Sequence, residues 1–86
     1  MEINSLKKIL KEKLTKKIKI NNITIEDKSF LHKKHQNFDK DKFHLKLTIE
    51  SSELRKISSI DANRKIYDVL KDEMNRSIHS LQIIIV

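Results

Sequence analysis

The chain has 86 residues, 36% of them charged, and a formal net charge of +7. That length supports one small domain, residues 1–86, with a modest core. It has no glycine and no cysteine, which excludes Gly-rich phosphate loops, disulfides and any thiolate metal site of its own.

The longest apolar run, Ile83 to Val86, is too short to span a bilayer. Lysines interrupt the N-terminal stretch where a signal peptide would need an apolar region, so the expected address is the cytoplasm. The positive charge permits attraction to nucleic acid, anionic lipid or an acidic protein, and selects none of them. Proline is absent too, so any tight turn needing positive φ is expected at Asn21-Asn22 or Asn75.

In chain order, Ile3, Leu6, Ile9, Leu10 and Leu14 mark an amphipathic helix from about Glu2 to Lys16, its other face mostly lysine. Asn4 or Ser5 frames its start. Ile23 to Asp27 alternate as a short strand. Lys28 to Lys42 is polar and irregular and reads as a mobile loop holding His32 and His35. His44 to Ile49 form a second strand, with Leu45, Leu47 and Ile49 in phase. Ser51 to Ser59 is a connection with one helical turn, Leu54 and Ile57 pointing inward. Ser58-x-x-Asp61 fits a capping-box variant and starts the second long helix, with Ala62, Ile66, Val69, Leu70 and Met74 at helical spacing.

After Asn75 and Arg76 the period changes to two. His79, Leu81, Ile83 and Ile85 fall on one strand face; Ile78, Ser80, Gln82 and Ile84 fall on the other. The order α-β-β-α-β predicts an α+β domain, a three-stranded sheet covered on one face by two helices. The last strand either completes a right-handed crossover or lies at an edge. The expected core includes Leu6, Leu10, Ile25, Leu47, Ile66, Leu70, Leu81 and Ile83.

No nucleophile elbow or Ser/His/acid arrangement is visible, and the carboxylates are scattered among lysines, so neither nucleophilic catalysis nor a carboxylate acid–base pair is expected. His79 opens the apolar face of the last strand, where an aliphatic residue is usual; it is either a histidine at the rim of the core or a ligand. His32-x-x-His35 is a short-range imidazole pair of the kind that suits zinc, copper, nickel and iron. His44 begins its strand in the manner of a packing and hydrogen-bonding residue. Basic helices with a sheet also resemble a KH-like or helix-turn-helix nucleic-acid reader, but the GXXG clamp of KH domains is missing.

Five short segments resemble the BolA-like family. Asp27-Lys28-Ser29-Phe30-Leu31-His32 resembles its Asp/Asn-x-Ser-x-x-His, and His44-Leu45 its Ser-His-Phe with leucine in place of phenylalanine. Ser51-Ser52-Glu53-Leu54 is similar to Ser-x-x-Phe. In Ala62-Asn63-Arg64-Lys65-Ile66-Tyr67, Arg64 and Tyr67 keep part of Arg-His-Arg-x-x-Tyr. Ile78-His79-Ser80-Leu81 resembles Val/Ile-His-Ala-Leu. The order and spacing of these pieces carry the likeness.

The resemblance implies an α-β-β-α-β domain of the class II KH-like arrangement without the GXXG loop. It implies a non-enzymatic partner of a monothiol glutaredoxin, sharing a bridging [2Fe–2S] cluster in iron–sulfur trafficking or iron regulation. The glutaredoxin supplies a cysteine and a bound glutathione thiolate. This chain supplies His79 and His32, with His35 as the alternate, and Arg64, Tyr67 and His79 face the partner. No cofactor is expected when the chain is alone, as a monomer or weak homodimer. Histidine in place of thiolate raises a cluster's potential and makes binding pH-sensitive. The second expectation from the family is a nucleic-acid-binding transcriptional regulator using the basic KH-like surface; the charge without reading elements predicts only weak, salt-sensitive, sequence-indifferent binding.

Overall fold

Leu6, Leu10 and Leu14 recur every four residues, lie on one helical face, and are fully buried. They belong to α1 (Ile3–Lys17) of a computed structural model that describes residues 2–29 and 42–86. The Glu2 carboxylate caps this helix, accepting from the backbone N–H groups of Asn4 at 2.9 Å and Ser5 at 3.4 Å. The cap therefore lies before Asn4 and Ser5, the residues expected to frame the start. The remaining elements are β1 (Asn22–Asp27), β2 (Phe43–Glu50), α2 (Ser52–Arg55), α3 (Ser59–Val69), α4 (Lys71–Arg76) and β3 (Ile78–Ile85).

The sheet order is β1-β2-β3, so β3 lies at an edge. β1 runs antiparallel to β2, with Ile25 opposite Leu47 and Ile23 opposite Ile49. β3 runs parallel to β2, with Leu45, Leu47 and Ile49 opposite Leu81, Ile83 and Ile85. Ile25, Leu45, Leu47, Ile49 and Leu81 form one core cluster with the three α1 leucines, Leu54, Ala62, Ile66 and Leu70, so the helices cover one sheet face; Ile23, Ile85 and Ile83, the last expected inside the core, pack against it half-buried. The fold class expected from the apolar phases is the one observed. Among the described residues no helix is long and apolar enough to cross a membrane.

Ser51 shows how the connection between β2 and α3 is held. It is fully buried, yet its hydroxyl donates to the Lys19 carbonyl at 2.7 Å and accepts from the Leu54 N–H at 3.2 Å. Both bonds satisfy a polar group that burial would otherwise penalise. Ser58 caps α3 through the Asp61 N–H at 3.1 Å, as its spacing predicts.

Three local expectations need correction. Ile57 is 40% exposed, because α2 is a single turn and Ile57 lies past its end while Leu54 points inward. The long second helix is divided at buried Leu70, whose backbone (φ −97°, ψ 15°) leaves the helical region; the bonds Leu70 N–H to Ile66 O and Met74 N–H to Leu70 O continue past it at 3.0 and 2.8 Å. No described residue has positive φ. Ile18 ends α1 in extended backbone instead, and Asn75 lies inside α4, so neither asparagine site carries a left-handed turn.

Candidate functional site

The site is built where β3 begins. Phe43 is opposite Ile78, but the next residue, His44, is opposite Ser80. His79 is thus an extra residue in β3, a β-bulge, which locally breaks the alternation of faces. Ile78 and Leu81, three residues apart, both enter the core, and Ile78 is 2% exposed. His79 is exposed. This corrects the expected phase: His79 does not lie on the apolar face with Leu81, and Ile78 does. A strict period of two cannot show a one-residue insertion that only the pairing with β2 defines.

The bulge is pinned from both sides. The Phe43 N–H donates to the Ser77 carbonyl at 2.8 Å, and the Lys28 N–H donates to the His44 carbonyl at 2.7 Å. The His44 N–H donates to the Ser29 hydroxyl at 3.1 Å. Ser29 is itself fixed by its N–H, which donates to the Asp27 carboxylate at 2.9 Å. Asp27 and Ser29, two positions of the family-like segment, therefore hold the start of β2.

His44 lies on the sheet face away from the helices and is nevertheless buried, at 7% exposure. Its Nδ1 is 2.7 Å from the Ser80 hydroxyl, the residue directly opposite. The His79 ring stands beside it, with ring centroids 4.7 Å apart and planes tilted by 42°. The packing and hydrogen-bonding role read for His44 is present. The sequence reading missed that His44 is the imidazole next to His79. Aligning His44-Leu45-Lys46-Leu47 in parallel with Ser80-Leu81-Gln82-Ile83 would have put leucine on leucine and brought His44 to Ser80.

α3 borders the same strand. The Tyr67 hydroxyl donates to the Leu81 carbonyl at 3.1 Å, two residues beyond His79. Ile60, Arg64 and Tyr67 are spaced by four and three residues and so share one helical stripe. Ile60 is 66% exposed, and Arg64 and Tyr67 are also exposed. His32 and His35 lie outside the described residues. Among the described residues no three His, Cys, Asp or Glu side chains gather as a metal site. An open cleft of about 380 Å³ is lined by Lys13, Lys16, Lys17, Asp68 and Val69. Among the described residues its lining includes no histidine, and the imidazole chemistry is the better guide to the site.

The chain is similar to the DNA-binding transcriptional regulator BolA of Haemophilus influenzae, 32% identical over 77 residues, covering 90% of this chain and 72% of that protein. The fold is similar to the BolA domain of SufE1 from Arabidopsis thaliana, with a TM-score of 0.76 at 32% identity, covering 91% of this chain and 86% of the other. BolA1 from the same plant gives the same TM-score of 0.76 at 26% identity and the same coverage, 91% and 86%. The family model described as BolA-like protein matches residues 14–86, and with these relatives and this architecture the chain belongs to the BolA-like family.

Proposed function

We propose that this chain is a non-enzymatic cytoplasmic partner of a monothiol glutaredoxin, and that the two share a bridging [2Fe–2S] cluster in iron–sulfur trafficking or iron regulation. One observation carries it: a bulge turns His79 out of the core and exposes it on the strand that Tyr67 joins to the exposed Ile60–Arg64–Tyr67 stripe. An exposed imidazole beside an apolar and cationic helix face suits a ligand offered to another protein.

The donor set fits one side of such a cluster. The chain offers imidazole nitrogen and has no cysteine, which leaves the thiolates to the glutaredoxin cysteine and to glutathione. His79 is one ligand, and His32, or His35 in its place, is the other. A bound cluster supplies one-electron chemistry and transferable iron and sulfide. The chain's own residues present and orient. His79 offers a neutral ring nitrogen, Tyr67 fixes α3 against β3, and Arg64 meets acidic groups on the partner.

The test is to mix the protein with a monothiol glutaredoxin, glutathione and a reconstituted cluster, and to record visible circular dichroism. His79→Ala should abolish the mixed-complex spectrum while cluster-free association survives. An unchanged spectrum would return His79 to the role of a rim histidine. A nucleic-acid-binding regulator is the second reading, favoured by the name of the Haemophilus relative and by the +7 charge. Binding through phosphates weakens steeply with salt, whereas a cluster bridge depends on iron and glutathione.

A further inference from the structure

His44 and His79 come from different strands, yet their ring centroids are 4.7 Å apart. At a Zn–N bond of about 2.1 Å, an imidazole centroid sits roughly 3.2 Å from the metal, and two rings on one ion at angles of about 90–110° stand ~4.5–5.2 Å apart. The observed separation falls within that span. We propose that His44 and His79 form a metal site of their own, taking a divalent first-row cation of the zinc or copper type when the chain is alone. This goes beyond the glutaredoxin reading and opposes the expectation that the isolated chain holds no cofactor.

Two features give the pair the character of a site. Nδ1 of His44 meets the Ser80 hydroxyl at 2.7 Å. In the tautomer that carries its proton on Nδ1, that N–H donates to the hydroxyl oxygen and the lone pair is on Nε2, and this is the form that metal binding selects. Metal-ligating histidines are oriented by just such an outer hydrogen bond from the other ring nitrogen. Metal binding exchanges whatever contact Nε2 makes for the metal. His44 is also held at the backbone, through Ser29 and Lys28, while exposed His79 can turn its ring to meet the ion. One ligand is therefore placed by the fold, and the second adapts.

The donor chemistry selects the cation class. Two neutral nitrogens favour zinc, copper and nickel over magnesium and calcium, which require oxygen ligands. Two protein ligands with water in the remaining positions make an open site, weaker than a closed structural zinc site; no third His, Cys, Asp or Glu joins the pair among the described residues.

Histidine-¹⁵N-labelled protein, metal-free and without glutaredoxin, is titrated with Zn²⁺ at neutral pH while the imidazole nitrogens are followed by NMR. His44 Nε2 and one ring nitrogen of His79 should shift together and saturate, and Mg²⁺ should move neither. The double variant His32→Ala/His35→Ala should keep the paired shift, and His79→Ala should remove the His44 shift. Ser80→Ala, which deletes only the outer hydrogen bond, should weaken Zn²⁺ binding by about tenfold. Zinc shifting His79 together with His32 or His35 while His44 stays still would overturn the proposal. So would the absence of any shift at His44 at millimolar Zn²⁺. These readings come from the unmutated protein, so they stand even if a variant fails to fold. They are also independent of whether a mixed cluster forms with glutaredoxin.

Discussion

On the helix-covered face of the sheet, Leu45, Leu47 and Ile49 of β2 sit opposite Leu81, Ile83 and Ile85 of β3. On the other face His44 sits opposite Ser80, Lys46 opposite Gln82 and Thr48 opposite Ile84. The covered face follows simple apolar alternation, because every side chain there removes hydrocarbon from water. The open face follows it only loosely. It buries a histidine, and that histidine is satisfied by a hydroxyl directly across the strand pair. Burial on the covered face makes the fold; burial on the open face places a polar ring next to the one residue that the bulge pushes out.

The largest effect that sharpens this contrast is expected at the centre of β2. Leu47 is fully buried, and Leu47→Ala should cost about 2–5 kcal/mol in urea denaturation. Its neighbour Thr48, on the open face, should change stability by no more than ~0.5 kcal/mol as Thr48→Ala. Equal costs at the two positions would mean that both faces are packed alike.

The bulge is tested next. Ile78→Ala should cost about 2 kcal/mol or more, whereas His79→Ala should leave the denaturation midpoint unchanged. An unbulged strand reverses that order, because His79 would then share the core face with Leu81. A smaller effect is expected at the hydrogen bond between α3 and β3. Tyr67→Phe removes the donor to Leu81 at a residue 39% exposed, and should cost about 0.5–1 kcal/mol. Its amide signature should be faster hydrogen exchange near the start of β3, with the interior of β2 unaffected.

The smallest effect lies away from both faces, at Glu53. Its carboxyl is held below the ordinary value of 4.5, chiefly by the Lys19 backbone N–H and then by the Lys65 ammonium, with Lys19 N–H to Oε2 at 3.0 Å and Lys65 Nζ to Oε1 at 3.5 Å. A carboxyl depressed in the folded state contributes stability that is present above its unfolded value and is lost as pH falls through the folded value. Stability should therefore decline slightly below about pH 4.5, and Glu53→Gln should flatten that part of the pH profile. Because the group is exposed, added salt should shrink the Lys65 part of the effect.

Much of the fold is legible in residue spacing. The leucines of α1, the phase of β2, the capping serine of α3 and the alternation of Leu81 and Ile83 each follow from a local period. Apolar side chains must share a face before they can share a core. The five family-like segments were legible in the same way, as residue types at fixed intervals. The candidate site was only half legible. His79 stands out as a histidine in an apolar stretch, but the face it occupies could not be deduced from that stretch alone.

By itself, then, the sequence determined the α-β-β-α-β order and most of the apolar positions that meet the core, because these depend on composition and on intervals along one chain; Ile78 entered the core against the expected phase. The tertiary structure decided the parallel register of β2 and β3, and with it the bulge at His79, the exposure of that ring and its approach to His44. Pairing two strands far apart in sequence is a choice of alignment. A one-residue offset in that alignment costs little locally, yet it exchanges which side chains meet the core and which meet each other.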